Sequence, residues 1–285
     1  MTEVYSGLLS AMRGKISENA EGELLEMISF ISGKSIEDIR KIRLSAKFDP
    51  DLWNEVLTDE IAEKVRRAVG KRCDGVPVQY LTNRAFFFGR EFYVDERVLI
   101  PRFDTETLVD VALPLADESS EVLDLCCGSG CIGLSLALEK NCSVTLADVS
   151  EDALDVCRIN AEKTGAKNVS FIKHDVFSDE IRGLFDVIVC NPPYISADEM
   201  KTLDREVLCE PRLALEAEDG YPFYSLIPKK YFDALKNGGY LIFEVGKGQS
   251  DAVSEFCRVA GFETPRIYND LNNIERVVCA RKYWR

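Results

Sequence analysis

Histidine is almost absent from this sequence: His174 is the only one in 285 residues. None of the ten cysteines forms a Cys-x-x-Cys pair. The ligand spacing of a zinc site is therefore missing, and no metal is expected. No apolar stretch approaches the roughly 18 uninterrupted residues of a membrane span. The opening residues, Met1-Thr2-Glu3-Val4-Tyr5, lack the basic-then-apolar order of a signal peptide. These two absences point to a cytoplasmic protein with no membrane partner. Positive charge is also scarce, with 35 Lys and Arg against 49 Asp and Glu and a net charge of −14. Nucleic-acid binding rests on neutralising phosphates with a basic surface, so the balance favours a small molecule or a basic protein as partner. No internal repeat or low-complexity tract is evident.

What is present is ample apolar material, 46% of the chain, and enough length for two domains with ordinary cores. The cysteines lie at 73, 126, 127, 131, 142, 157, 190, 209, 257 and 279, mostly within apolar segments. They read as small buried thiols in a reducing compartment.

Residues 1–75 read as a helical bundle. Leu24, Leu25, Met27, Ile28 and Ile31 recur at helical spacing until Gly33, and Ser35 with Asp38 resembles a capping box. Asp49-Pro50 reads as an N-cap with a first-turn proline. A last helix through Ile61, Val65 and Ala68 is expected to close at Gly70. The bundle carries no visible chemistry, which leaves partner binding as its role. Residues 76–100 change character: Phe86 to Phe88 and Phe92 to Val94 flank Gly89-Arg90-Glu91, the pattern of a linking β-hairpin turning at those three residues. Asp104-Thr105-Glu106-Thr107 then starts a helix.

Residues 101–285 read as strand, turn and helix in alternation. Strands are expected at Val122–Leu125, Val144–Ala147, Val169–Ile172, Phe185–Cys190, Tyr240–Val245 and Arg276–Ala280. Such alternation implies an α/β, doubly wound, mostly parallel sheet. Two strand ends stand out. Gly128-Ser129-Gly130-Cys131-Ile132-Gly133 follows the first strand and opens a helix, matching G-x-G-x-x-G. Glycines there let backbone approach a ligand, and helix N–H groups point at it. Asp148, at the second strand's end, can accept both hydroxyls of a ribose, or simply sit beside the capping Ser150. The fourth strand ends in Asn191-Pro192-Pro193-Tyr194, where two prolines stop the ladder and hold an amide and an aromatic ring on a stiff turn.

The glycine pattern alone suits a dehydrogenase equally well. Three features favour S-adenosylmethionine. Asp124 can meet the ligand's amino-acid end, directly or through water; Asp175 ends the third strand near an adenine amino group; and the fourth strand's tip carries a neutral amide. Asp124 to Gly133 resembles the first motif of class I S-adenosylmethionine-dependent methyltransferases. Asn191-Pro192-Pro193-Tyr194 resembles the tetrapeptide of those that methylate planar nitrogens. Pro77-Val78-Gln79-Tyr80-Leu81, Leu99 to Glu106, Glu210 to Leu215, Gly220, Tyr224, Gly238 to Gly246, Gln249 and Asp270 to Val278 are similar to the release-factor protein-(glutamine-N5) methyltransferases, the HemK/PrmC family. Three residues depart from that pattern, one of them Glu275, which stands before Arg276 in place of the more usual Asp. Cys126 stands where the loop's first glycine is usual, which a positive φ there would strain, and Asn83 replaces a frequent glycine.

The resemblance implies a seven-stranded Rossmann-like methyltransferase sheet behind a small helical domain. It implies S-adenosylmethionine against Asp124, Cys126, Cys127, Gly128, Ser129, Gly130, Asp148, Asp175, Val176 and Asn191, with no metal. It implies as substrate the Gly-Gly-Gln glutamine of a peptide-chain release factor. The Asn191 side-chain oxygen would accept one amide N–H and the Pro192 carbonyl the other. Tyr194 would pack on the amide plane and Pro193 would fix the turn. A sister activity on a ribosomal-protein glutamine, adenine-N6 or guanine-N2 methylation of nucleic acid, and a non-catalytic cofactor-binding module are the rival readings. The acidic balance opposes a nucleic-acid substrate.

Overall fold

The computed structural model describes residues 3–16 and 19–283. Two compact units divide the chain, Met1–Asn83 with Asp204–Cys209, and Arg84–Leu203 with Glu210–Arg285.

The first unit holds α1 (Glu3–Arg13), α2 (Ala20–Ser32), α3 (Ile36–Ser45), α4 (Asp59–Cys73) and α5 (Val78–Thr82). Leu24, Met27, Ile28, Ile39 and Val65 are buried between them, around Tyr5 and Trp53, whose rings stack at 4.4 Å. Ser35 caps α3, its hydroxyl accepting from Asp38 N at 3.1 Å. Asp49-Pro50 opens only a 3-10 turn, Pro50–Trp53. Helix α4 does not close at Gly70 but runs on to Cys73. Two residues beyond the expected end, buried Arg72 pairs with Glu23 at 2.6 Å and Glu206 at 2.7 Å, holding the final turn in helical form. Glu206 belongs to the six-residue segment that joins this unit from far along the chain.

The second unit begins with a hairpin, β1 (Ala85–Phe87) and β2 (Arg90–Phe92). Its turn is Phe88-Gly89, both at positive φ, the geometry of a two-residue hairpin loop, and not Gly89-Arg90-Glu91. Phe87 and Phe92 face the core, which fixes this register. Phe88 N donates to Glu106 Oε1 at 2.8 Å, anchoring the turn.

There follow α6 (Glu106–Ala112), β3 (Glu121–Leu125), α7 (Cys131–Lys140), β4 (Ser143–Asp148), α8 (Glu151–Thr164), β5 (Val169–Lys173), β6 (Phe185–Cys190), α9 (Arg212–Leu215), α10 (Pro222–Lys230), β7 (Leu235–Glu244), α11 (Ser250–Ala260), β8 (Arg266–Asn269) and β9 (Glu275–Arg281). The strands order as β5-β4-β3-β6-β7-β9-β8, with β9 antiparallel to both neighbours and the other pairs parallel. This is the α/β, mostly parallel seven-stranded sheet expected. Strand alternation makes two cores. Val122, Val144, Leu146, Val187 and Val189 pack with α6, α7 and α8. Leu123, Leu125, Ile188, Cys190, Leu241 and Phe243 pack with α10 and α11. The chain winds outward from β3 through β4 to β5, then returns to β6 on the other side of β3. The carboxyl ends of β3 and β6 thus flank the switch point, where open α/β sheets take their ligands.

Candidate active site

The turn leaving β3 is built from left-handed residues: Cys126 at φ 58°, Gly128 at 52° and Gly130 at 79°. Gly130 has no alternative, since a Cβ there would lie 2.3 Å from Cys157 Sγ. Cys126 takes the positive φ that its glycine-like position demands, at a cost of about 1–2 kcal/mol. Its side chain is partly buried against the core that contains Cys190. Asn160, fully buried on α8, stitches the turn from below. Its Nδ2 donates to the carbonyls of Ser129 and Tyr93, each at 2.9 Å, and its Oδ1 accepts from Tyr93 N at 2.6 Å.

Two carboxylates sit under this turn. Asp124, 0% exposed, accepts from Gly133 N at 2.9 Å through Oδ2, while its Oδ1 has no partner. Burial pushes its pKa from 3.8 up to about 7, with the Gly133 N–H opposing and the nearby Asp148 adding to the rise. Asp148, at the tip of β4, accepts from Gly128 N and Ser150 N, each at 2.9 Å. Burial raises its pKa, and those backbone bonds hold it back. Ser150 separately caps α8 through Ala153 N at 3.2 Å. Asp148 therefore joins the glycine turn to the start of α8 and sits between two strand ends.

Beyond β5, Asp175 accepts from Phe177 N at 2.9 Å and from the Ser178 hydroxyl at 3.1 Å. Phe177 meets Phe223 edge to face at 4.8 Å, forming an apolar wall beside Val176.

The tetrapeptide emerges in the middle of the sheet. Cys190 is in register with Leu125 on one side and Phe243 on the other, so Asn191 leaves β6 beside the glycine turn. Cys126, Cys127, Gly128, Ser129, Asp148, Asp175, Val176, Asn191 and Pro193 line one cavity of about 340 Å³, the size of a small-ligand site. Asp124, Gly130, Pro192 and Tyr194 lie outside its lining. The Tyr194 hydroxyl donates to Glu244 Oε1 at 3.4 Å instead. Sequence reasoning gave no roles to Arg102, Thr105, Leu213, Phe177 or Phe223, all of which line the cavity. The stretches around Arg102 and Leu213 were visible as motifs. The structure adds the reason they meet: Arg102 pairs with buried Glu210, whose Oε2 also accepts from Ile100 N at 3.0 Å.

Residues 98–220 match the family model described as Methyltransferase small domain. The fold resembles the crystal structure of a methyltransferase from Pyrococcus furiosus, with a TM-score of 0.54 and 17% identity over 69% of this chain and 91% of that one. The domain match places residues 98–220 in the methyltransferase class. At the level of sequence, a release factor glutamine methyltransferase from Chlorobaculum tepidum is 40% identical over 77% of this chain and 79% of its own length. Another of that name, from Thermodesulfovibrio yellowstonii, is 32% identical over 91% of this chain and 96% of its own length. The chain belongs to the release factor glutamine methyltransferase family.

Proposed function

We propose that this protein transfers a methyl group from S-adenosylmethionine to the side-chain amide nitrogen of the glutamine in the Gly-Gly-Gln loop of a peptide-chain release factor. The observation that carries the reading is the meeting of Asn191 with the glycine turn in one cavity, at the switch point of the sheet.

The residues present fit S-adenosylmethionine. Asp124, behind the cavity lining, keeps one buried oxygen without a partner, suited to an ammonium group reached directly or through water. Each Asp148 oxygen carries one backbone bond and retains acceptor capacity for a ribose hydroxyl. Val176, Phe177 and Phe223 offer an apolar slot for a flat base, with Asp175 at its edge. When bound, the cofactor supplies an electrophilic methyl on a sulfonium.

An amide nitrogen is a poor nucleophile, because its lone pair is delocalised into the carbonyl. The task left to the chain is orientation and electronic adjustment. Asn191 accepts one N–H of the substrate amide through its side-chain oxygen, and the Pro192 carbonyl accepts the other. Both bonds strengthen as positive charge grows on nitrogen, so they stabilise the transition state more than the ground state. Alignment of this kind supplies up to about 7–11 kcal/mol. Pro193 stiffens the turn. A neutral amide avoids the desolvation cost that a buried carboxylate would add.

A chain of net charge −14 suits a basic protein partner. The helical first unit would bind a part of the factor away from the modified loop. No helix among the described residues is long and apolar enough to cross a membrane, in keeping with work in the cytoplasm beside translation. The test is to incubate the protein with labelled S-adenosylmethionine and, separately, release factors, ribosomal protein and DNA, and then to locate the label by mass spectrometry. Label on the release-factor glutamine is expected. Label only on ribosomal protein or DNA would overturn the assignment.

A further inference from the structure

Tyr194 is held at both ends, by the last residue of β7 and by the segment that follows it. Its hydroxyl donates to Glu244 Oε1 at 3.4 Å, and its main-chain carbonyl accepts from Gln249 Nε2 at 3.2 Å. Gln249 is itself fixed, with Oε1 accepting from Gly246 N at 2.9 Å and Nε2 reaching the Gly220 carbonyl at 3.4 Å. The parts are closely fitted. A Cβ on Gly246 would lie 2.8 Å from Gln249 Oε1 and 3.1 Å from Tyr194 Cδ2, and one on Gly220 would lie 3.2 Å from the Tyr194 carbonyl oxygen.

Glu244 is an expensive residue in this position. It is 2% exposed, and its Oε2 has no hydrogen-bond partner. Arg276 is nearby on β9, but its guanidinium bonds go to Asp270, Asp104 and the Val245 carbonyl. Thr105, in the cavity wall, faces the same carboxylate without the geometry of a hydrogen bond. Burial outweighs these neighbours and pushes the Glu244 pKa to about 7. An apolar side chain at the end of β7 would fold more favourably, so the carboxylate calls for a functional reason. Neither Glu244 nor Gln249 lines the cavity, so any effect on chemistry must pass through what they hold.

We propose that Glu244 and Gln249 are positioning residues for methyl transfer: gripping Tyr194 by its hydroxyl and its carbonyl, they fix the Asn191–Tyr194 turn and the direction of the Asn191 carboxamide. This rests on the reading of Asn191 as the group that orients the substrate amide. The cofactor-side residues Asp148 and Asp175 leave other strands, β4 and β5. Loosening the grip therefore changes turnover and spares cofactor affinity. Misplacing a reacting group by about 1 Å costs on the order of 100-fold in rate.

The experiment uses the full chain, labelled S-adenosylmethionine and purified release factor. Turnover, cofactor affinity by calorimetry and thermal unfolding are measured for Gln249→Glu, Glu244→Gln, Tyr194→Phe and the last two combined. Gln249→Glu sets an oxygen against two carbonyl oxygens, while a carboxylate at the start of α11 is favourable for the helix. It should lower kcat at least about tenfold with the cofactor Kd within about twofold. Glu244→Gln should lower kcat in the otherwise native chain and have no further effect once Tyr194→Phe has removed the hydroxyl. Equal losses of kcat and cofactor affinity, unchanged rates, or additive effects in the double variant would each overturn the proposal. If Gln249→Glu does not fold, the Glu244–Tyr194 cycle decides alone. Asn191→Ala separates the two claims. Retained turnover there removes the Asn191 reading, whereas lost turnover there beside unaffected Gln249→Glu and Glu244→Gln removes only the grip.

Discussion

Replacing Asp124 by asparagine should make the ligand-free protein more stable and a worse enzyme. The carboxyl is fully buried, with one oxygen bonded to Gly133 N and the other to nothing. Carrying its pKa from 3.8 to about 7 costs about 4 kcal/mol in the ionised form at pH above 7. Asparagine keeps the acceptor for Gly133 N but buries an amide N–H₂, which costs about 1–3 kcal/mol if unpaired. A net gain of about 1–3 kcal/mol at pH 8 follows. The sign with pH is fixed by which state holds more protons. Between pH 3.8 and about 7 the folded state binds the proton more tightly, so the native protein loses stability as pH rises through that window. Below pH 3.8 both states are protonated and the advantage of Asp124→Asn disappears. Urea unfolding of the two proteins at pH 4, 6 and 8 measures this directly. Calorimetry should show cofactor binding weakened by about 10- to 100-fold, the worth of a hydrogen bond to a charged group. A variant less stable than the native protein at pH 8, or a difference between them that does not change with pH, would refute the reasoning.

Other perturbations probe the same site. Asp148→Ala should weaken cofactor affinity at least about tenfold and lower saturated turnover less; an unchanged dissociation constant would leave Asp148 only its bonds to Gly128 and Ser150. Asn160→Ala strands the Ser129 and Tyr93 backbone groups it satisfies, for a loss of roughly 2–4 kcal/mol. A shift in the urea midpoint worth under about 1 kcal/mol would show that the glycine turn stands without it. Cys126→Val places a β-branched residue at φ 58° and should cost about 2 kcal/mol, whereas Cys126→Gly should stay within about 1 kcal/mol of the native protein. Equal stabilities for these two would remove the strain assigned to that position.

Much of the sheet was legible because its central strands are buried on both faces. Val122–Leu125, Val144–Ala147 and Phe185–Cys190 read as apolar runs, and glycine, proline and aspartate mark their ends. Strand β8 was not, because Arg266, Ile267 and Asn269 are exposed at the sheet's edge and leave no alternation to read. Gly70 misled as a helix end, since the buried pairs of Arg72 that sustain α4 involve residues distant in sequence. The same long-range pairing hides from local pattern the fact that Asp204–Cys209 belongs with the first unit. Phe88 looked like a strand residue. The burial of Phe87 and Phe92, which sets the register, and the bond from Phe88 N to Glu106 put it in the turn at positive φ.

In the site, the backbone's demands were visible and the side-chain directions were not. Glycine spacing announced a tight turn before α7, and the two prolines announced the end of β6. Nothing local could say that Asn160 stitches that turn, that Phe177 meets Phe223, or that Tyr194 reaches back to Glu244 and away from the cavity. These depend on which strands become neighbours.

The central claim is that the Asn191 carboxamide orients the substrate amide, and the most direct measurement is the turnover of Asn191→Ala with release factor, set beside its cofactor affinity. Turnover should fall by at least about 100-fold while calorimetry still shows cofactor binding, weakened far less than turnover. A variant that keeps a tenth or more of native turnover, or loses cofactor binding in step with activity, would contradict the account.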